Sequence, residues 1–319
     1  MAGSNSCSLE SDFLTEFQFL GYYIGLSALL SSILNGLVIF SLWKSMKNID
    51  TCGLMLLSLS VNDFLSPTFG YPMAAYASLQ HKWIYGDDGL QMVWIISAFS
   101  GFGSLHHLML LSGERFISIT KPLKKEQLLS NNRTRYLIIF CWSSSLVWAT
   151  FPLVGWNGYT LEGLQTMCSV NWQSKDAVEV SYIVSILVCC FLIPQIGIIY
   201  FNACILLEIR CMKKKARIEQ GVNSSIYRGI KSISKQQSLM VAFMVLAFNL
   251  SWLPYAFTSI YTLFINVDKM SPVTTSIPAV FTKSATVLNP IVYFLFNKNY
   301  RKLFKAKVLA RAVEVSRVN

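Results

Sequence analysis

Residues 272–296 read PVTTSIPAVFTKSATVLNPIVYFLF, an apolar run with a single charge, Lys283, near its middle. Such a run is long enough to cross about 30 Å of hydrocarbon as an α-helix. A charge held at that depth is costly and usually functional. Six further apolar runs precede it, at 17–43, 52–79, 90–113, 135–155, 181–207 and 239–265. Backbone groups in lipid must satisfy one another, so each run is predicted to be a helix. The chain is 53% hydrophobic and 13% charged, with mean hydropathy +0.47, whereas soluble domains carry about 25% charged residues. The predicted fold is all-α: one seven-transmembrane helix bundle over 17–296.

Basic residues set the orientation. Of 27 Lys and Arg, 23 fall on one side, in the first short loop, after the third run, in 210–235 and beyond Asn297. Lys82, Lys175 and Lys269 fall on the other. This split predicts an extracellular N-terminal segment, 1–16, and a cytoplasmic C-terminus. The acidic residues Glu10, Asp12 and Glu16 before the first run argue against a cleaved signal peptide. The basic inner face accounts for the net charge of +11 without nucleic acid, and suits anionic membrane lipid and an acidic partner surface. Residues 297–312 repeat Tyr300, Leu303, Phe304, Val308 and Leu309 among Lys and Arg, which predicts a short amphipathic helix lying on the membrane, followed by a tail, 313–319. The eight Cys show no metal-ligand spacing, so no metal is expected. Only Cys7 and Cys168 fall on the oxidising side.

Four groups inside the runs invite chemistry. A buried Lys283 must pair, lose its proton or be covalently changed. A desolvated Lys amine attacks aldehydes to give a Schiff base; the plainer alternative is a side chain that snorkels to one face. Asp63, with Asn35 and Asn289, suggests an interhelical hydrogen-bond network that could include water or sodium. His106 and His107 read as satisfied core histidines. Glu114 and Arg115, closing the third run, read either as a solvated neighbouring pair or as a lock that opens on activation.

Asn35, Asp63, Glu114-Arg115, Trp142, Pro194, Trp252-Leu253-Pro254 and Asn289-Pro290-Ile291-Val292-Tyr293 mark seven helices in order. With these marks the chain resembles G-protein-coupled receptors of the rhodopsin class along nearly its whole length. Lys283, six residues before Asn289, makes it look like an opsin. Gly70-Tyr71-Pro72, Lys82-Trp83, Pro152 to Trp156 and Cys168 to Trp172 look most like the cnidarian type. The resemblance implies retinal, 11-cis or all-trans, carried as a Schiff base on Lys283, with Trp252, Tyr255, Gly101, Phe191, Phe248 and Ala279 around it. It implies that light drives helix six outward and frees Arg115 for a heterotrimeric G protein, by likeness a stimulatory, cyclic-AMP-raising one. Glu114, Arg115, Asn289, Pro290 and Tyr293 would form the switch. The role implied is a plasma-membrane receptor rather than an enzyme, with a non-signalling retinal photoisomerase as the alternative.

The chain departs from that pattern in three places. The positions that hold a carboxylate against the Schiff base in helix three or helix two of other opsins are Val93 and Ala74 here. The resemblance implies Glu162, six residues before Cys168, as the candidate counterion. The alternatives are an exposed loop acid, with chloride or water balancing the charge, or an unprotonated, ultraviolet-absorbing Schiff base. Cys168 matches the loop half of the usual outer disulfide, but Leu90 stands where the helix-three half belongs. Cys7 is the other outer Cys and the candidate partner of Cys168; a loop without the usual staple is expected to be loose. Asn202 stands on helix five where many receptors have Tyr.

Overall fold

The computed structural model describes residues 13–220, 225–264 and 271–296. Cys7, the amphipathic stretch 297–312 and the tail lie outside them.

The first run is α1, Leu14–Lys44. The second is α2, Thr51–Leu65, and α3, Tyr71–Leu79, joined by a π-helical turn, Ser66–Gly70. Asp50 caps α2, its carboxylate accepting from the Gly53 amide at 2.8 Å. The third run is α4, Gly86–Thr120. A short α5, Lys125–Leu128, leads to α6, Asn131–Thr150, whose N-terminus Ser130 caps. The strands β1, Tyr159–Glu162, and β2, Met167–Val170, form an antiparallel hairpin pairing Glu162 with Met167 and Leu161 with Cys168. The fifth run is α7, Ala177–Ile186, and α8, Ile193–Gln220, again joined by a π turn, Leu187–Leu192. The sixth is α9, Ser225–Phe264. The seventh is α10, Pro272–Phe281, and α11, Ser284–Phe296.

Six of these spans are long and apolar enough to cross a membrane; the π-interrupted second span completes the seven expected runs. Large apolar side chains such as Tyr22, Trp43, Ile196 and Phe257 point away from the bundle, as a lipid-facing surface requires. Polar groups turn inward. The central α4 packs against α2, α6, α8 and α9.

The buried polar residues singled out in the sequence make hydrogen bonds. Asp63 accepts from Asn289 at 2.8 Å and from Ser104. Asn35 stands apart from this pair: it donates to the carbonyls of Thr286 and Ser31. His106 meets Ser145 at 3.0 Å, and His107 bridges Ser58 and the Gly103 carbonyl. These are satisfied core histidines, holding α4 to α6 and α2.

The seventh span loosens at the residue that drew attention in the sequence. Thr282 and Lys283 form a turn between α10 and α11, in which the Lys283 amide donates to Val280 at 3.0 Å and Ala285 donates to Thr282. Pro278, lacking an amide hydrogen and bulky toward the preceding turn, disturbs the helix just before this point.

A candidate ligand site between the helices and the outer hairpin

The hairpin lies over the outer end of the bundle and is tied down in three places. The Leu164 amide donates to Ser276 of α10 at 3.0 Å. Ser78 of α3 donates to Thr166 at 3.0 Å. Ser169 meets the Tyr255 hydroxyl of α9 at 3.0 Å. The tight approach to α10 depends on Gly163, whose φ is +59° and where a Cβ would crowd the Pro272 carbonyl and Ser276. Among the described residues Cys168 is a free thiol; Cys7 is not among them. These contacts and the Gly163 packing hold the loop against the bundle.

Beneath the hairpin is an apolar cavity. Lys283, Glu162, Trp252, Tyr255, Gly101, Phe191, Phe248, Ala279 and Cys168 all line it. Lys283 and Glu162 are its only charged lining residues among those described. Val93 and Ala74 are buried and apolar.

Helix breaks aim these groups inward. The π turn in the fifth span brings Cys190 and Phe191 to the cavity. Pro254 interrupts the hydrogen-bond ladder of α9 between Trp252 and Tyr255. Trp252 lies stacked on Phe248, ring centroids 5.6 Å apart and planes 14° apart. Its six-membered ring fills the space above Gly101, where a Cβ would stand 2.6 Å from Trp252 Cη2. Gly101→Ala therefore has to displace the indole. Overpacking of this kind costs about 1–3 kcal/mol. A lower melting temperature for Gly101→Ala, restored in a Gly101→Ala/Trp252→Phe double variant, is the expected result.

Glu162 sits in a chain of hydrogen bonds. Tyr255 donates to its carboxylate at 3.2 Å. Trp172 donates to the Tyr255 oxygen at 2.9 Å and to Ser169 at 2.7 Å.

The family model described as "7 transmembrane receptor (rhodopsin family)" matches residues 34–293. The chain belongs to that family. Within it, this receptor stands with the animal opsins. It is 30% identical to Parapinopsin of Ictalurus punctatus over 285 residues, covering 89% of this chain and 80% of the relative. It is 29% identical to Melanopsin-B of Xenopus laevis, covering 89% of this chain and 53% of that protein. The chain thus spans about half the length of the melanopsin it matches. The crystal structure of squid rhodopsin superposes with a TM-score of 0.82 at 25% identity, covering 90% of this chain and 84% of that one. The receptor is an integral, multi-pass membrane protein.

Two features of the receptor's site escaped the sequence. Trp172 and Ser169 orient Tyr255, and so Glu162. The only sequence signal was their place in the stretch after Cys168, which carried a family likeness and no geometry. Tyr71 lies with its ring 4.9 Å from Lys283 Nζ; an aromatic beside Pro72 was visible, its direction was not.

Burial pushes the Glu162 carboxyl up from its ordinary 4.5 to about 7, against the opposing effects of Tyr255, Lys283 and Ser169. The fold without ligand thus favours the neutral acid. That stabilisation is fully present below about pH 4.5 and is lost as pH rises through about 7. Over that window it amounts to up to about 3 kcal/mol. The difference in melting temperature between the ligand-free receptor and Glu162→Gln is expected to shift against the wild type from pH 4.5 to 7.5. Burial also pushes the Cys168 thiol up to about 12, so it stays protonated.

At the cytoplasmic end, Glu114 and Arg115 are an ion pair, and both are buried. The solvated-pair reading is thereby corrected: α2 and the loop after α4 close over them. Glu114 also accepts from Thr51 at 3.2 Å and Ser118 at 2.9 Å, and pairs with Lys125 of α5 at 2.9 Å. Asn289 and Pro290 are buried in α11, and Tyr293 is buried in the core that also holds Met240, Val241 and Met244 of α9. Asn202 reaches Ser112 of α4 at 3.4 Å, while Tyr200 points outward.

Proposed function

We propose that this receptor is a light-activated G-protein-coupled receptor that carries retinal on Lys283 with Glu162 as counterion. The observation that carries the reading is one apolar cavity holding one amine, one carboxylate and the Trp252–Gly101 contact. The cavity fits a long apolar aldehyde: Lys283 and Glu162 are the charged groups among its described lining residues, aromatic side chains line much of the rest, and Gly101 leaves room for the Trp252 ring. Retinal, held on Lys283, would supply a polyene that changes shape on absorbing light.

The chain's own residues do the rest. Lys283 provides the attachment, on a turn freed from regular helix. Glu162 balances the positive nitrogen, positioned by Tyr255 and Trp172. Trp252, wedged between Gly101 and Phe248, transmits a push to α9 at the Pro254 break. The inner end of α9 is held to α11 by Gln236, which donates to the Phe296 carbonyl, and by the Phe243–Phe296 stack, centroids 5.2 Å apart. Outward movement of α9 breaks these contacts and uncovers Arg115 to a G protein. The buried Glu114–Arg115 pair at the inner end of the bundle supports a signalling receptor over a photoisomerase. A stimulatory G protein and a cnidarian-type affinity remain part of the proposal through sequence likeness alone.

The test is the absorption spectrum of the purified chain with 11-cis and all-trans retinal, beside light-dependent nucleotide exchange on stimulatory and phospholipase-coupled G proteins. A pigment with light-dependent exchange is expected. A pigment that isomerises without exchange on any G protein would replace the receptor with the photoisomerase.

A further inference from the structure

We propose that the Tyr71 ring is a second electrostatic partner of the Lys283 nitrogen, holding its positive charge from the second span while Glu162 acts from the hairpin. The role toward retinal rests on the function proposed above; the contact between ring and amine does not.

Lys283 Nζ lies 4.9 Å from the Tyr71 ring centroid, inside the roughly 6 Å within which a cation gains from the negative face of an aromatic ring. Tyr71 is 4% exposed, so water competes little for the charge. The ring's position follows from the helix break beneath it. On a regular α-helix Tyr71, eight residues after Asp63, would turn about 80° off the inward face that Asp63 occupies. The π turn Ser66–Gly70 absorbs one residue, so Tyr71 takes the angular place of its predecessor and faces the core. Its hydroxyl is 3.5 Å from the Thr286 hydroxyl on α11, which ties it to the span that carries Lys283.

The other groups around this nitrogen leave the ring a distinct part. Glu162 and Cys168 face it from the hairpin. Tyr23 of α1 bonds Ser284, next in sequence to Lys283. Asp63, deeper, is taken up by Asn289 and Ser104. Val93 and Ala74 bring no charge. Glu162 is a carboxylate that burial drives toward its neutral form near neutral pH, whereas the face of a neutral aromatic ring keeps its negative potential across the same range. The ring therefore supports the charge under conditions in which Glu162 alone does so only in part.

The experiment is a pH titration of the visible band of the retinal-loaded protein in wild type, Tyr71→Phe and Tyr71→Leu, with fluorinated phenylalanines at position 71 as shape-preserving variants. Tyr71→Phe is expected to titrate close to wild type. Tyr71→Leu is expected to lose the proton about one pH unit lower, roughly tenfold in the equilibrium, and the fluorinated rings to fall in order of fluorine content. In parallel, the pH dependence of Lys283 reductive methylation is read by mass spectrometry in the retinal-free protein, where the same order is expected. Titrations that coincide for wild type, leucine and fluorinated rings would overturn the inference. Failure of the intact chain to form any pigment would instead sink the photoreceptor function, and the methylation profiles would still decide the contact.

Discussion

Lys283→Ala is expected to form no pigment at all with retinal, and to give no light-dependent nucleotide exchange. Among the described residues lining the cavity Lys283 is the sole amine. Two thiols also line the cavity. Cys168 is held neutral by burial, and the thiolate is the reactive form. Cys190 is buried in the fifth span, and neither thiol can form an imine with an aldehyde. No side chain in the cavity can therefore take over the attachment. The substitution removes a side chain that stands at a turn and opens on the cavity, so the helices around it have no hydrogen bond to lose from the amine. The apoprotein should keep its helical content and its buried Asp63–Asn289 pair. The check is the absorption spectrum after incubation with 11-cis-retinal, together with circular dichroism on the same sample. A visible or near-ultraviolet bound band in a folded Lys283→Ala protein would end the account built on this residue.

Glu162→Gln should have the next largest effect, a pigment that changes colour at neutral pH. The amide keeps the size of the side chain and can still accept from Tyr255, so the Trp172–Tyr255–Ser169 arrangement should survive. What it removes is the negative charge. Loss of an opposite charge disfavours the charged form of its partner, typically by about 1–3 pKa units. The linked nitrogen then gives up its proton at lower pH, and the visible band gives way to a near-ultraviolet one at a pH where the wild type still absorbs in the visible. Neither Val93 nor Ala74 can compensate, and Asp63 is occupied with Asn289 and Ser104. Spectra recorded from pH 5 to 9 decide it. A variant whose band titrates with that of the wild type would show that the counterion lies elsewhere.

Much of this site was legible in the residues because the chemistry is confined to rare types. A Lys in an apolar run is conspicuous whatever the fold, and its depth follows from counting along the run. The choice of Glu162 came from the opsin resemblance: it matches the outer-loop counterion position, and Val93 and Ala74 carry no carboxylate at the other two. Three things were not legible. The burial of Glu114 and Arg115 depends on how α2 and the segment leading into α5, with Lys125, close over them, a relation between separate segments. The anchoring of the hairpin was not legible because the lack of a Cys at Leu90 was visible while the Leu164–Ser276 and Ser78–Thr166 hydrogen bonds were not. The facing of Tyr71 depends on a π turn, for which Pro67 gives at most a hint.

By itself the sequence determined the spans, their orientation and the identity of the one amine in the membrane. Each of these follows from local composition: apolar length sets a span, flanking Lys and Arg set its direction, and a single charge in a run is visible without knowledge of its neighbours. The tertiary structure decided which side chains meet that amine. Helix phase, shifted by one residue at each π turn and relaxed at Lys283, and the folding of the hairpin over the bundle bring Tyr71, Glu162, Tyr255 and Trp172 together from segments far apart in the chain. Their meeting is a property of the packed helices rather than of any one of them.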